Sequence, residues 1–208
     1  MQRFRRCVCG TAVYKINFAS TNAMGIEIEK KYRLDKRRLV ELTAKLGDLG
    51  AEFRGEVFEE NYLHRGGVLE ERAAVLRLRK IGDRTILTYK ERIGGDSDIK
   101  HRIEHETDVE NVEAMEQIIQ SLGYKLSVVY EKHRKTWHFL DVEVVLDELP
   151  FGVYMEIEGE VDAISNAEKA LGIRDLESEP RGYPRLAVRY GQVVGGVSES
   201  RFEKTTAA

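Results

Sequence analysis

The stretch Gly25–Leu34, GIEIEKKYRL, decides the reading of this chain. As an extended strand it places Glu27, Glu29 and Lys31 on one face and Ile28 on the other, because successive strand side chains point to opposite sides of a sheet. The alternation is far too regular for a loop. It also recurs downstream. Arg77 and Arg79 share a face opposite Leu76 and Leu78, and Lys90 sits among Ile86, Leu87 and Tyr89. Arg102, Glu104 and Glu106 form another row, as do Lys132 and Arg134. Glu143 and Asp147 lie two pleats apart, and Glu156 and Glu158 face away from Met155 and Ile157.

Any one of these strands is explained by an ordinary amphipathic sheet with its charged face in water. The whole set is not. A solvated face mixes in Thr, Ser and Gln, whereas these rows are nearly pure carboxylate or pure cation. The signs also segregate, with acidic first and last strands and most of the bases between them. A closed barrel with its charges turned inward explains both features. Such a lumen is costly unless it meets ions or a charged ligand. Paired carboxylates offer hard oxygens to Mg²⁺ or Mn²⁺. Rows of Arg and Lys bind phosphate oxygens, arginine bidentately. The physical match is a metal-bound polyphosphate.

Around these rows the remaining elements fall into place. Asp35 is the expected cap of a helix reaching about Leu49, with Leu39, Leu42 and Leu46 as its apolar stripe. Phe53–His64 is expected to be extended, followed by a turn-rich loop from Gly66-Gly67. Strands are expected at Ala74–Ile81, Thr85–Arg92, Lys100–Val109, Lys125–Phe139, Val142–Leu149 and Val153–Val161. Gly82-Asp83, Gly94-Gly95-Asp96 and Pro150-Phe151-Gly152 supply turns or loops. Helical spacing marks Val112–Leu122, Ile164–Leu171 and Tyr183–Tyr190. About eight strands joined mostly by short turns make the sheet antiparallel and the class α+β. From about Gly195 the chain has no period and reads as a frayed tail, so 193–208 is expected to be flexible.

Composition narrows the function. The chain has 208 residues, 42% hydrophobic and 33% charged, with only three prolines. That suits one domain and excludes collagen, a disulfide scaffold and a Pro/Ser-rich disordered chain. Its 33 basic and 36 acidic residues leave a net charge of −3, which excludes a nucleic-acid binder acting through bulk positive charge. No apolar run approaches the roughly 20 residues of a membrane helix. Cys7 and Cys9 are too close to staple a fold and read as incidental thiols of a reducing, cytoplasmic setting. Residues 1–23 carry no period, and Lys15 and Asn17 interrupt the only candidate signal-peptide core. The dense strand pattern starts just after Met24, so either Met24 is the native start or 1–23 is a loose extension.

Rival chemistries leave no signature. There is no Gly-rich loop ending in Gly-Lys-Ser/Thr and no Gly-x-Ser-x-Gly or Cys/His nucleophile motif. His101 and His105 are four apart on a strand, facing away from Arg102, and read as packed or surface histidines.

Glu27-Ile-Glu29-Lys30-Lys31 resembles the ExExK signature of the CYTH superfamily, the triphosphate tunnel metalloenzymes. That superfamily includes CyaB-type class IV adenylyl cyclases, thiamine triphosphatases and inorganic triphosphatases. Arg77-x-Arg79, Lys90, Arg102-x-Glu104-x-Glu106, Lys132-x-Arg134, Asp147 and Glu156-x-Glu158 follow in the family's order. Glu179-Pro-Arg-Gly-Tyr183 also resembles CyaB-type members, and the likeness covers about 24–190 of an expected catalytic domain at 24–192. The resemblance implies an eight-stranded antiparallel tunnel with helices outside. It implies that Glu27, Glu29, Glu156 and Glu158 hold a divalent ion, Mg²⁺ or Mn²⁺. Asp147, with Glu104 and Glu106, would support a second metal or orient water. Lys31, Arg77, Arg79, Lys90, Arg102, Lys132 and Arg134 would grip the triphosphate. The catalytic set on this reading is Glu27, Glu29, Lys31 and Asp147, and the substrate is tripolyphosphate, ATP or thiamine triphosphate. Hydrolysis is the leading expectation, cyclisation of ATP to cyclic AMP and pyrophosphate the alternative, and a non-catalytic binding module the third. A homodimer is common among such relatives.

Overall fold

The computed structural model describes residues 26–93 and 99–203. The expectations for residues 1–23, for Cys7 and Cys9, and for the Gly94-Gly95-Asp96 loop lie outside the described residues. The elements run β1 (Ile26–Leu34), α1 (Lys36–Asp48), β2 (Glu52–Arg65), α2 (Val68–Glu71), β3 (Ala74–Ile81), β4 (Arg84–Ile93), β5 (Lys100–Asp108), α3 (Val112–Ser121), β6 (Lys125–Phe139), β7 (Val142–Leu149), β8 (Gly152–Glu158), α4 (Val161–Leu171), α5 (Tyr183–Tyr190), β9 (Gln192–Val194) and β10 (Val197–Ser200).

The strand order is β2-β3-β4-β5-β1-β8-β7-β6, and β6 pairs back onto β2. Every one of these pairings is antiparallel, so eight strands close into a barrel. The α+β expectation therefore holds. Closure removes the exposed sheet edges and splits each strand's alternation into a lumen face and an outer face.

The larger of two apolar clusters lies outside the barrel. Met155, Ile157, Val144, Leu146 and Tyr32 of the outer face pack against Leu42 and Leu46 of α1 and Ile164, Ala167 and Leu171 of α4. Asp35 caps α1, its carboxylate accepting from the Arg38 backbone N–H at 2.7 Å, and Asn111 caps α3 in the same way through Ala114 N–H. Tyr32 donates its hydroxyl to Glu168 of α4, which also binds Lys30 at 2.7 Å. Among the described residues no helix is long and apolar enough to cross a membrane.

The chain end departs from expectation. Residues 192–200 form a β hairpin, and β10 pairs in parallel with β6 through Ser198, Glu199 and Ser200 opposite Val128, Val129 and Tyr130. The cause is the length of β6. Its 15 residues outrun β7, which pairs only from His133 onward, so the edge at 128–130 is left for another strand. Strands of three and four residues are too short to show a period. The strand expected to reach Val161 ends at Glu158, and Val161 opens α4. The loop after Gly67 holds a single helical turn, α2.

Candidate active site in the barrel lumen

Every charged row read from the sequence lies on the lumen face. Register brings Glu27 opposite Arg102 and Glu29 opposite Lys100 on one side of β1. On the other side Glu29 faces Glu158 and Lys31 faces Glu156. Arg77 pairs with Thr88, Thr88 with Glu106, Lys90 with Glu104, and Arg134 with Asp147. The lumen face of the barrel thus carries all fourteen predicted residues: Glu27, Glu29, Lys31, Arg77, Arg79, Lys90, Arg102, Glu104, Glu106, Lys132, Arg134, Asp147, Glu156 and Glu158.

Three further members of the channel were not predicted as site residues. Lys100 lies two residues before Arg102, so the same alternation contained its signal. Glu143 stood in an acidic row without a role, and it lies opposite Glu158. Glu59 gave no usable signal because Glu60 adjoins it. Only the register opposite Lys132 turns Glu59 inward.

The rows meet as opposites. Glu29 binds Lys100 at 3.0 Å and Arg102 at 2.6 Å. Lys90 binds Glu27 at 2.5 Å and Glu104 at 2.8 Å. Arg79 reaches Glu106 at 3.0 Å, and Arg77 donates to Thr88 at 3.2 Å and Glu106 at 3.4 Å. Lys31 binds Glu156 at 3.1 Å, and Lys132 lies 3.3 Å from Glu59. Arg134 forks onto both oxygens of Asp147 at 2.7 and 2.6 Å and also reaches Glu156 at 2.7 Å. The bases therefore do not simply repel one another across the lumen.

Burial opposes ionisation of these carboxylates, and the neighbouring cations decide the outcome. Against burial, Arg102, Lys100 and Lys31 hold Glu29 well below the usual carboxylate range. Glu156 is likewise held down at about 2, with Lys31, Arg134 and Lys132 outweighing burial and Glu29. At the other extreme, burial and then the charges of Glu27 and Glu143 push Glu158 up to about 9. Glu27 and Glu143 are raised too, burial leading in each case. Burial and the charge of Lys31 bring Lys100 down to about 8.

The donor chemistry fits both a hard divalent ion and an anion. Glu27, Glu143 and Glu158 gather at one place, where burial raises all three carboxyls. The buried Nε atoms of Arg77 and Arg79 have no hydrogen-bond acceptor, as expected of donors awaiting phosphate oxygens. Among the described residues no three His, Cys, Asp or Glu side chains already form a metal cage; most of the acids are engaged by cations. His105 stacks on Tyr89 with ring centroids 6.3 Å apart, away from the lumen rows.

A pH dependence follows from the raised carboxyls. Between about pH 5 and about pH 8 the unfolded chain has shed these protons, with a reference glutamate pKa of ~4.3. In the folded chain Glu158, pushed up to about 9, still holds its proton, so its contribution to metal-free stability should fall as pH rises through this window. Lys100 acts oppositely, but only above it. Thermal melts in EDTA should show the decline, Glu158→Gln should flatten it, and Mg²⁺ should stabilise more at pH 8 than at pH 5. A melting temperature independent of pH in EDTA would contradict the carboxyl cluster.

Comparison with known proteins agrees with this architecture. The CYTH domain matches residues 25–183. A Methanocaldococcus jannaschii protein named "Putative adenylate cyclase" is 31% identical over 151 residues, 70% of this chain and 83% of that protein. The structure of the PH1012 protein of Pyrococcus horikoshii superposes with a TM-score of 0.67 at 26% identity, covering 77% of this chain and 98% of that one. A Hippeastrum protein, described as a "putative adenylyl cyclase" with a dominant triphosphatase activity, shares the fold with a TM-score of 0.59 at 17% identity, over 82% of this chain and 97% of its own. With a closed eight-stranded lumen, the ordered charged rows and a family match over most of its length, the chain belongs to the CYTH domain family.

Proposed function

We infer that the chain is a divalent-metal-dependent enzyme that cleaves a phosphoanhydride bond of a triphosphate by hydrolysis. The observation that carries this reading is a closed lumen in which guanidinium, ammonium and carboxylate groups interleave at hydrogen-bond distance, with buried arginine Nε donors left open. Glu27, Glu29, Glu156 and Glu158 are the residues to hold Mg²⁺ or Mn²⁺, with Glu104 and Glu106 beside them. When bound, such an ion supplies Lewis-acid charge on phosphoryl oxygens and an acidified water. Arg77, Arg79, Lys90, Arg102, Lys132 and Lys31 bind the phosphates and meet the charge that develops in transfer. Both oxygens of Asp147 are engaged by Arg134, which supports a role in aiming that guanidinium.

The ion pairs make the two ligands interdependent. A phosphate that takes a lysine or arginine releases its carboxylate, and a metal that takes the carboxylate releases the base. Each ligand therefore lowers the cost of binding the other, a coupling reciprocal by necessity. Mg²⁺ or tripolyphosphate alone should shift the melting temperature less than the two together. Together, at a hundredfold excess over Kd, they should stabilise by ~2.7 kcal/mol, or roughly 5–10 °C at ~2–4 °C per kcal/mol for a chain of this size. An equal shift with sulfate at matched ionic strength would reduce the lumen to a generic anion site.

Cyclisation of ATP is the second reading, favoured by the name of the M. jannaschii relative. Both reactions use the same phosphate-binding groups. Incubation with Mg²⁺ or Mn²⁺ and tripolyphosphate, ATP or thiamine triphosphate separates them. Orthophosphate release supports hydrolysis, cyclic AMP with pyrophosphate supports cyclisation, and metal-dependent binding without turnover leaves a binding module.

A further inference from the structure

Strand β2 turns a single charged side chain into the lumen between two shifts of its register. The pairing with β6 is interrupted at Phe53/Gly55 and at Leu63/His64. In the block between them Glu59 lies opposite Lys132, with Val57, Asn61 and Leu63 on the same face. Glu56 and Glu60 point outward and pair there with Lys135 and Arg201. Irregularities of this kind fix which residues of a strand turn inward. The β2–β6 pairing is also the seam that closes the barrel. Glu59 therefore stands between a strand that carries Arg79, β3, and one that carries Lys132 and Arg134, β6.

Its contacts differ from those of the other lumen acids. The Glu59 carboxylate lies 3.3 Å from Lys132 Nζ, 3.8 Å from Arg79 Nε and 4.0 Å from Arg134 Nε, and it accepts from Asn61 Nδ2 at 3.4 Å. Arg134 spends its short bonds on Asp147, at 2.7 and 2.6 Å, and on Glu156, at 2.7 Å. Arg79 spends its own on Glu106, at 3.0 Å. Glu59 thus balances cations of two strands without taking up their best donors, and Arg79 Nε is left without a hydrogen-bond acceptor. The carboxylate is 1% exposed. Burial opposes its ionisation, but Lys132, Arg134 and Arg77 outweigh burial and hold the group below its ordinary value. It is a fixed negative charge set among bases. Such a charge acts differently on a small anion and on a chain. Sulfate or orthophosphate gains only the charge of the nearest bases, follows them if they shift, and meets a resident charge of its own sign. A triphosphate reaches further bases, such as Arg77, Lys90 and Arg102, and gains from having them all at fixed spacing. Specificity is a difference of affinities, and repulsion of the competitor serves it as well as attraction.

We propose that Glu59 is a specificity-determining residue: it keeps Arg79, Lys132 and Arg134 in place while repelling a lone anion, so that sulfate and orthophosphate are refused and the lumen is left to the triphosphate. This rests on the triphosphate reading and adds to it the side chain that rejects competitors.

The test is calorimetric titration of the full chain, with Mg²⁺ present, by tripolyphosphate, sulfate and orthophosphate at matched ionic strength. In the wild-type chain both small anions should bind more than about tenfold more weakly than tripolyphosphate. Glu59→Gln keeps the shape of the side chain and removes its charge. It should tighten sulfate and orthophosphate about tenfold, the scale of one charge at such distances, and leave tripolyphosphate unchanged or weaker. Glu59→Asp keeps the charge, so sulfate should stay as weak as in the wild-type chain. A purely structural role predicts the opposite sign, with every anion bound more weakly in Glu59→Gln as the bases spread apart. Unchanged or weaker sulfate binding in Glu59→Gln, tripolyphosphate tightening there as much as sulfate, or tight sulfate binding in Glu59→Asp would overturn the proposal while leaving the triphosphate reading intact. Sulfate binding to the wild-type chain within about tenfold of tripolyphosphate would overturn it whether or not either variant folds. No binding of tripolyphosphate to the wild-type chain with either Mg²⁺ or Mn²⁺ would overturn the triphosphate reading and the role of Glu59 with it.

Discussion

Replacing Asp147 by alanine is expected to cost the fold about 3–5 kcal/mol, the cost of removing one partner from a buried charge pair. Asp147 is completely buried and binds Arg134 through both oxygens, Tyr183 through its hydroxyl and Lys132 at 3.6 Å. Its removal leaves Arg134 and Lys132 facing each other without that counter-charge, and frees the hydroxyl that ties α5 to the barrel. At ~2–4 °C per kcal/mol the melting temperature should drop by roughly 6–20 °C. Asp147→Asn keeps an acceptor for Tyr183 and should cost less. Asp108→Ala provides the contrast. Its pair with Arg84 is as short, 2.6 Å, but the aspartate side chain is 62% exposed, and such surface pairs contribute little. Equal losses in Asp147→Ala and Asp108→Ala, read from denaturant melts, would show that the Asp147 network does not hold α5 on the barrel.

Glu29→Gln should lower turnover of tripolyphosphate at least tenfold, a loss of ~1.4 kcal/mol or more in transition-state binding. From the sequence alone this variant is expected to leave the fold intact, since it relieves repulsion between neighbouring acids. The structure changes that expectation. Glu29 is the partner of Lys100 and Arg102, so a neutral amide leaves two cations unbalanced in the lumen. Lower stability must therefore be separated from lost chemistry. The double variant Glu29→Gln/Lys100→Gln restores charge balance. If the carboxylate serves the metal, the double variant should regain stability without regaining turnover. Recovery of both, wild-type turnover in the single variant, or wild-type turnover unaffected by EDTA would remove Glu29 from the metal site.

The charged rows were legible because a strand's period of two sorts residues by face with no knowledge of the neighbours. Thus Glu27, Glu29 and Lys31, or Arg77 and Arg79, could be assigned to one side from their spacing. Lys100 carried the same signal, two residues from Arg102. Glu59 did not, because in a strand holding both Glu59 and Glu60 only the partner strand decides which one turns inward. The hairpin after α5 was hidden for a related reason. A short strand is defined by the edge it joins, and that edge exists only because β6 outruns β7.

Sequence by itself determined which residues alternate, hence the α+β class, the order of the eight barrel strands along the chain, and most of the charged rows of the lumen. Those properties depend on local backbone geometry. Only the tertiary structure decided which acid meets which base, that Glu158 is pushed up to about 9 while Glu156 is held down at about 2, and that α5 packs against the barrel. These depend on distance and burial between residues far apart in the chain, such as Lys31 with Glu156 and Asp147 with Tyr183. Electrostatic energy at such distances changes steeply with an ångström or a lost water, and no spacing along one strand encodes it.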